Sequence, residues 1–221
     1  MTDVEKALLL YESNLFKDID NMQYNLKKLA PGTDNNILYI TGYPGAGKTT
    51  TINIMKKKFK NKAEIASLDY ISYAIANFND NWYNDERREE SGELIKKFMD
   101  TLDPAEISNL RINKGWSSGC INDYIQKFLD WVREEAKNPK YKKKIIIIEG
   151  AQLYKLDPEQ FKDRPMIIMG TSMMTSLRRK SKRDVEASWD SIKHALTSLN
   201  MNLYPEAYKK INELEKKMKS R

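Results

Sequence analysis

A chain of 221 residues with a single cysteine, Cys120, and a single histidine, His194, is poor in the side chains that most often build metal and acid–base sites. One cysteine excludes an internal disulfide and a cysteine-built zinc site. One histidine argues against a histidine-rich metal centre and leaves little room for His-based acid–base chemistry. No apolar run is long enough to span a bilayer. The start, Met-Thr-Asp-Val-Glu-Lys, lacks the basic beginning and apolar stretch of a secretory signal. Glycines and prolines form no linker-like stretch, and no internal repeat is visible. These absences lead to the expectation of one soluble, cytoplasmic domain with no membrane partner. Cys120 then reads as a small buried residue. His194 reads as an ordinary helix residue.

What is present fits a globular chain. Apolar residues make up 40% and charged residues 31%, and the length suffices to bury a core without disulfides or metals. The net charge of +7 suits an anionic partner, and by itself does not choose among nucleotide, nucleic acid and acidic membrane surface. The charge comes in blocks. Residues 37–76 carry +4 and residues 139–221 carry +9, while residues 1–36 carry −2 and residues 77–138 carry −4.

Periodicity predicts alternating strands and helices. Val4, Leu8, Tyr11, Leu15, Ile19, Met22, Leu26 and Leu29 recur every three or four positions, which predicts a helix over 3–29. That stripe reads as core packing or as a face for a protein partner. Short apolar runs at 37–41, 63–68, 145–148 and 166–169 predict strands, and the four consecutive isoleucines of the third run fit a strand buried on both faces. Helices are predicted at 48–59, through most of 70–137, and at 172–183, 186–199 and 205–219. The alternation implies an α/β fold with a parallel central sheet. The expected organisation is one domain over 1–221, with a core at about 37–200, a helical insert at 77–138 and terminal helices at 3–29 and 205–219.

One motif is specific. Gly42, Tyr43, Pro44, Gly45, Ala46, Gly47, Lys48 and Thr49 fit G-x-x-x-x-G-K-[ST] at every fixed position, between a predicted strand and a predicted helix. Glycines let the backbone curl so that its N–H groups form a nest for phosphate oxygens, and the start of the helix, with Thr50 in its first turn, adds a partial positive charge. Lys48 can reach the β- and γ-phosphates, and the Thr49 hydroxyl can sit on Mg²⁺. This motif reads as a P-loop NTPase fold.

Ligands in such sheets bind beyond the carboxyl ends of the strands, so the polar residues there carry the next information. Asp69 follows the second predicted strand. It can accept a proton from an attacking hydroxyl, or it can cap the next helix. Glu149 ends the third strand and can order Mg²⁺ or polarise a nucleophile; its bland reading is an acid at a strand end. After the fourth strand comes the densest basic cluster, with Arg178, Arg179 and Arg183. Guanidinium groups there can stabilise a moving phosphoryl group as part of a closing lid, or simply solvate a helix or contact nucleic acid.

The ordered set of Gly42–Thr49, Asp69, Glu149 and the arginine-rich segment resembles the P-loop kinase group, over roughly residues 37–185. The Gly-x-Pro-Gly-x-Gly-Lys-Thr form with Asp69 is most similar to zeta-toxin and polynucleotide 5′-hydroxyl kinases. The resemblance implies that Asp69 is the general base and that arginines sit on a lid. Nucleoside monophosphate kinases carry Asp-Gly-x-Pro-Arg after the third strand, whereas this chain has Glu149-Gly150-Ala151-Gln152-Leu153, which weighs against a monophosphate acceptor. The expectation is a kinase that uses ATP and Mg²⁺ on a hydroxyl of a small molecule, nucleotide sugar or nucleic acid. The alternative is a P-loop ATPase working as a motor or switch with a nucleic-acid or protein partner. Asn113-Lys114-Gly115-Trp116 lacks the aspartate of a guanine-reading motif and gives a GTPase switch no support.

Overall fold

This computed structural model describes residues 21–43, 45–76, 86–114, 118–170 and 203–219. Five strands form one mixed sheet: β1 (Asn21–Tyr24), β2 (Ile37–Gly42), β3 (Ala63–Ser67), β4 (Ile145–Glu149) and β5 (Met166–Met169). Their order across the sheet is β1-β5-β2-β4-β3. The pairs β2–β4, β2–β5 and β3–β4 are parallel, and β1 runs antiparallel to β5. Every residue of β2, β4 and β5 is buried. That is why those strands read as unbroken apolar runs rather than as alternating ones. Burying each isoleucine of β4 contributes about 1.5–3 kcal/mol relative to leaving it exposed.

Eight helices are described: α1 (Lys48–Phe59), α2 (Leu68–Ala76), α3 (Glu86–Glu90), α4 (Glu93–Asp100), α5 (Pro104–Lys114), α6 (Ser118–Glu135), α7 (Pro139–Lys142) and α8 (Leu203–Lys219). In α1 the buried stripe is Ile52, Met55 and Phe59. In α4 it is Leu94, Ile95, Phe98 and Met99. In α6 Tyr124, Ile125, Phe128, Leu129 and Val132 are buried. Phe98 meets Phe128 edge to face, with ring centroids 5.2 Å apart. Thus the helical insert adds its own apolar layer to the core, as the three-to-four spacing requires. The Asn138 side chain accepts the Lys140 amide, and Pro139 takes the first helical position of α7.

The α/β class and the four expected strands are observed, each to within a residue at its ends. Two expectations are corrected. The sheet is mixed rather than purely parallel. And the helix expected over 3–29 does not extend through its last turns: residues 21–24 are a strand and Leu26–Lys28 a short 3-10 turn. The residues before 21 lie outside the description. The reason for the change is tertiary. β5 would otherwise end the sheet with open backbone groups, and an added strand satisfies them. Asn25 then turns the chain in the left-handed region, with φ 53°, and its side-chain amide donates to the Lys162 carbonyl at 2.7 Å. The helices expected at 172–183 and 186–199 fall outside the described residues, while the one at 205–219 is α8.

Gly42 ends β2 with φ 146°, and a Cβ there would lie 2.1 Å from the Met169 carbonyl oxygen on β5. No side chain fits that approach. Gly42→Ala is therefore expected to cost about 1–3 kcal/mol, the usual range for overpacking. A lowered urea midpoint with unchanged slope would show it; an unchanged midpoint would mean that β2 and β5 are not so closely paired.

Candidate functional site

The parallel pairing puts the carboxyl ends of β2, β3, β4 and β5 at one end of the sheet. Gly42 is registered with Met169, Ile40 with Glu149, and Ser67 with Glu149. The residues after those strands are thereby gathered in space although they are far apart in sequence.

The turn from β2 into α1 is built by glycine. Gly45 and Gly47 have φ of 79° and 91°, a region that other residues seldom enter. Tyr43 and Ala46 are buried and anchor the loop to the core, and the Ala46 amide donates to the Tyr43 carbonyl at 3.1 Å. Pro44 lies outside the described residues. Helix α1 starts after Gly47 with no side-chain cap and no acidic residue in its first turn, so its end keeps its positive character. Lys48 is partly buried. Its Nζ donates to the carbonyls of Gly42 and Tyr43, both at 3.1 Å, which places the ammonium inside the curve of the loop. Thr49 and Thr50 are exposed on the first turn.

Glu149 is 5% exposed. Burial pushes its carboxyl above the usual carboxylate range; the Lys48 ammonium opposes this, the nearby Asp69 adds to it, and a hydrogen bond with Ser67 lowers it. The strand end is fixed from behind, since the Thr41 hydroxyl donates to the Gly150 carbonyl at 2.9 Å and the Gly150 amide to the Ile40 carbonyl at 3.1 Å.

A cavity of about 320 Å³ opens beside these groups, and Thr49, Ser67, Asp69 and Glu149 line it together with Tyr70 and Glu90. Asp69 is the second residue of α2 rather than the residue ahead of it, so its capping role gives way to a place in the first turn, where an acid still suits the helix dipole. Its carboxylate accepts Gln152 Nε2 at 2.8 Å. The Tyr70 hydroxyl donates to Glu90 at 3.1 Å.

Of the residues singled out from sequence, Lys48, Thr49, Asp69 and Glu149 come together. Thr50 is on the same helical turn without lining the cavity. Arg178, Arg179 and Arg183 lie outside the described residues. Ser67 and Gln152 were not among the expected site residues. Ser67 carries a signal in retrospect, as the last residue of its strand, while Gln152 is three residues past Glu149 between Ala151 and Leu153. Among the described residues no group of three or more His, Cys, Asp or Glu side chains converges as a metal cage. The donor set instead fits a cation that is shared with a ligand's oxygens and held by one or two protein oxygens, the usual arrangement for Mg²⁺. No helix among the described residues is long and apolar enough to cross a membrane.

No protein-family model, curated protein or solved structure matches the chain.

The raised carboxyl of Glu149 has a consequence for stability. The native state holds this proton more tightly than the unfolded chain does, so stability falls as pH rises from the ordinary carboxylate range through the raised native value. Glu149→Gln removes the buried charge. It is expected to raise the melting temperature above about pH 7, with the gain shrinking toward about pH 4. A gain that is the same at both ends of that range would show that the carboxylate is not the cause.

Proposed function

We propose that the chain is an ATP- and Mg²⁺-dependent phosphotransferase with a P-loop fold, in the three-layer α/β arrangement of the kinases it resembles. The observation that carries this reading is the placement of the Lys48 ammonium within the glycine-built turn, next to a cavity shared by Thr49, Asp69 and Glu149. A lysine held among backbone carbonyls at an uncapped helix start suits a bound phosphate chain in size and charge.

The roles follow from position. Backbone amides of residues 42–49 and the start of α1 bind the phosphates, and Lys48 moves from the loop carbonyls onto them. A bound Mg²⁺ would supply positive charge to offset that of the phosphates. Thr49 and Glu149 are the residues to hold it, directly or through water. Asp69 orients the acceptor hydroxyl and takes its proton as the oxygen bonds to the γ-phosphorus; the bond from that phosphorus to the leaving ADP oxygen breaks. The arginines Arg178, Arg179 and Arg183 keep the lid role that their order in the chain assigns to them. The acceptor is a hydroxyl compound or a 5′-hydroxyl end of nucleic acid that reaches Asp69 through the cavity.

A labelled-ATP transfer screen across nucleosides, nucleotide sugars and 5′-hydroxyl oligonucleotides tests the reading. Lys48→Ala is expected to lower transfer by at least about 10²-fold. Asp69→Asn is expected to lower turnover about 10²- to 10⁴-fold while leaving ATP affinity nearly unchanged. Hydrolysis to phosphate, stimulated by a nucleic acid or protein and with no labelled acceptor, would point to a motor or switch instead.

A further inference from the structure

We infer that Gln152 is a positioning residue that fixes which oxygen of Asp69 faces the acceptor. The inference rests on the phosphotransferase reading and adds a residue to it. Gln152 lies in the 3-10 turn Ala151–Lys155 that follows β4. Its Nε2 donates to Asp69 Oδ1 at 2.8 Å and to the Ser72 hydroxyl oxygen at 3.1 Å. Asp69 and Ser72 are three apart on α2 and share a face. Ser72 in turn donates to the Leu68 carbonyl at 3.1 Å. One amide therefore straddles the first turn of α2 and ties it to the segment that carries Glu149.

The amide has only one workable orientation. Turned the other way, its carbonyl oxygen would face the carboxylate. In the orientation seen, Nε2 is committed and Oε1 is buried with no hydrogen-bond partner. A buried acceptor left unsatisfied is destabilising, and such groups in folded proteins ask for an explanation. Here the explanation is the Asp69 carboxylate. Gln152 is its only hydrogen-bond donor among the described residues. With Oδ1 held, Oδ2 is the oxygen left for an incoming hydroxyl. A neutral amide does this without bringing an ammonium beside the base. Gly150 makes the arrangement possible, because a Cβ there would lie 2.6 Å from Gln152 Oε1 and 2.7 Å from Leu68 Cβ.

The test is a double-mutant cycle with Gln152→Met and Asp69→Asn, read as single-turnover phosphate release from γ-labelled ATP with water as acceptor. Methionine keeps the length and removes both the donor and the orphaned oxygen. The expected result for Gln152→Met is an unchanged or higher melting temperature, unchanged ATP affinity, and turnover lowered about ten- to a hundredfold, as misplacement of a reacting group does. In the Asp69→Asn background, Gln152→Met should cause no further loss. An equal loss in both backgrounds would overturn the inference, as would a fall in melting temperature with turnover per folded molecule unchanged. If Asp69→Asn lowers turnover and Gln152→Met does not, the inference alone fails. If Asp69→Asn changes nothing, or the unaltered protein neither releases phosphate nor transfers it to any acceptor of the screen, the base assignment fails and the inference with it.

Discussion

The site depends on the parallel pairing of β2 between β4 and β5. That pairing brings the ends of three separate chain segments to one line, with Ile40 facing Glu149 on one side and Gly42 facing Met169 on the other. The approach on the β5 side is so close that residue 42 has no room for a Cβ. The glycine that opens the loop is thus a packing requirement of the sheet before it is anything else. Once β2 is held on both flanks, the loop of residues 43–47 starts from a fixed point. The buried Tyr43 and Ala46 then carry that rigidity into the turn. The side chains of Tyr43 and Ala46 hold the loop down, which leaves its backbone for the phosphate binding we propose.

Glu149 shows what such a framework can hold in place. A carboxylate at the end of a fully buried strand is costly in its charged form, and the lysine beside it offsets only part of that cost. Nothing in the packing of β4 requires an acid there; glutamine has nearly the same shape. An acid kept at this strand end at a cost to stability suits the Mg²⁺ that we propose, because a cation there would remove the penalty on its charged form. The orphaned oxygen of Gln152 belongs to the same pattern, in that a local rule is broken beside the cavity while the surrounding core obeys it.

Much of this was legible in the sequence because the signals were local. The isoleucine run of β4, the apolar run before Gly42 and the spacing of Ile52, Met55 and Phe59 each fix an element by their own periodicity. The residues at the ends of those elements could then be named in advance, since a parallel sheet collects its strand ends. What was not legible depended on pairing. The segment 21–24 has the three-to-four spacing of a helix, and its strand state exists only because β5 lends it an edge. The partnership of Gln152 with Asp69 spans 83 positions in the chain and leaves no pattern in either neighbourhood. Periodicity reports which face of an element is buried; it is silent on which distant side chain will meet it.

Net charge turns out to be a poor guide to the site. The described walls of the cavity hold three carboxylates, of Asp69, Glu90 and Glu149, against the single ammonium of Lys56, with Lys48 close by in the loop. Two lysine-rich segments lie elsewhere. Lys60 and Lys62 precede β3, and Lys142, Lys143 and Lys144 precede β4. Because Ala63 is registered with Ile145, both segments lie at the amino ends of the strands, the opposite end from Asp69 and Glu149. The excess of positive charge on those two segments therefore says little about what the cavity accepts. The handful of charges that face the cavity, and the order in which the sheet presents them, set that.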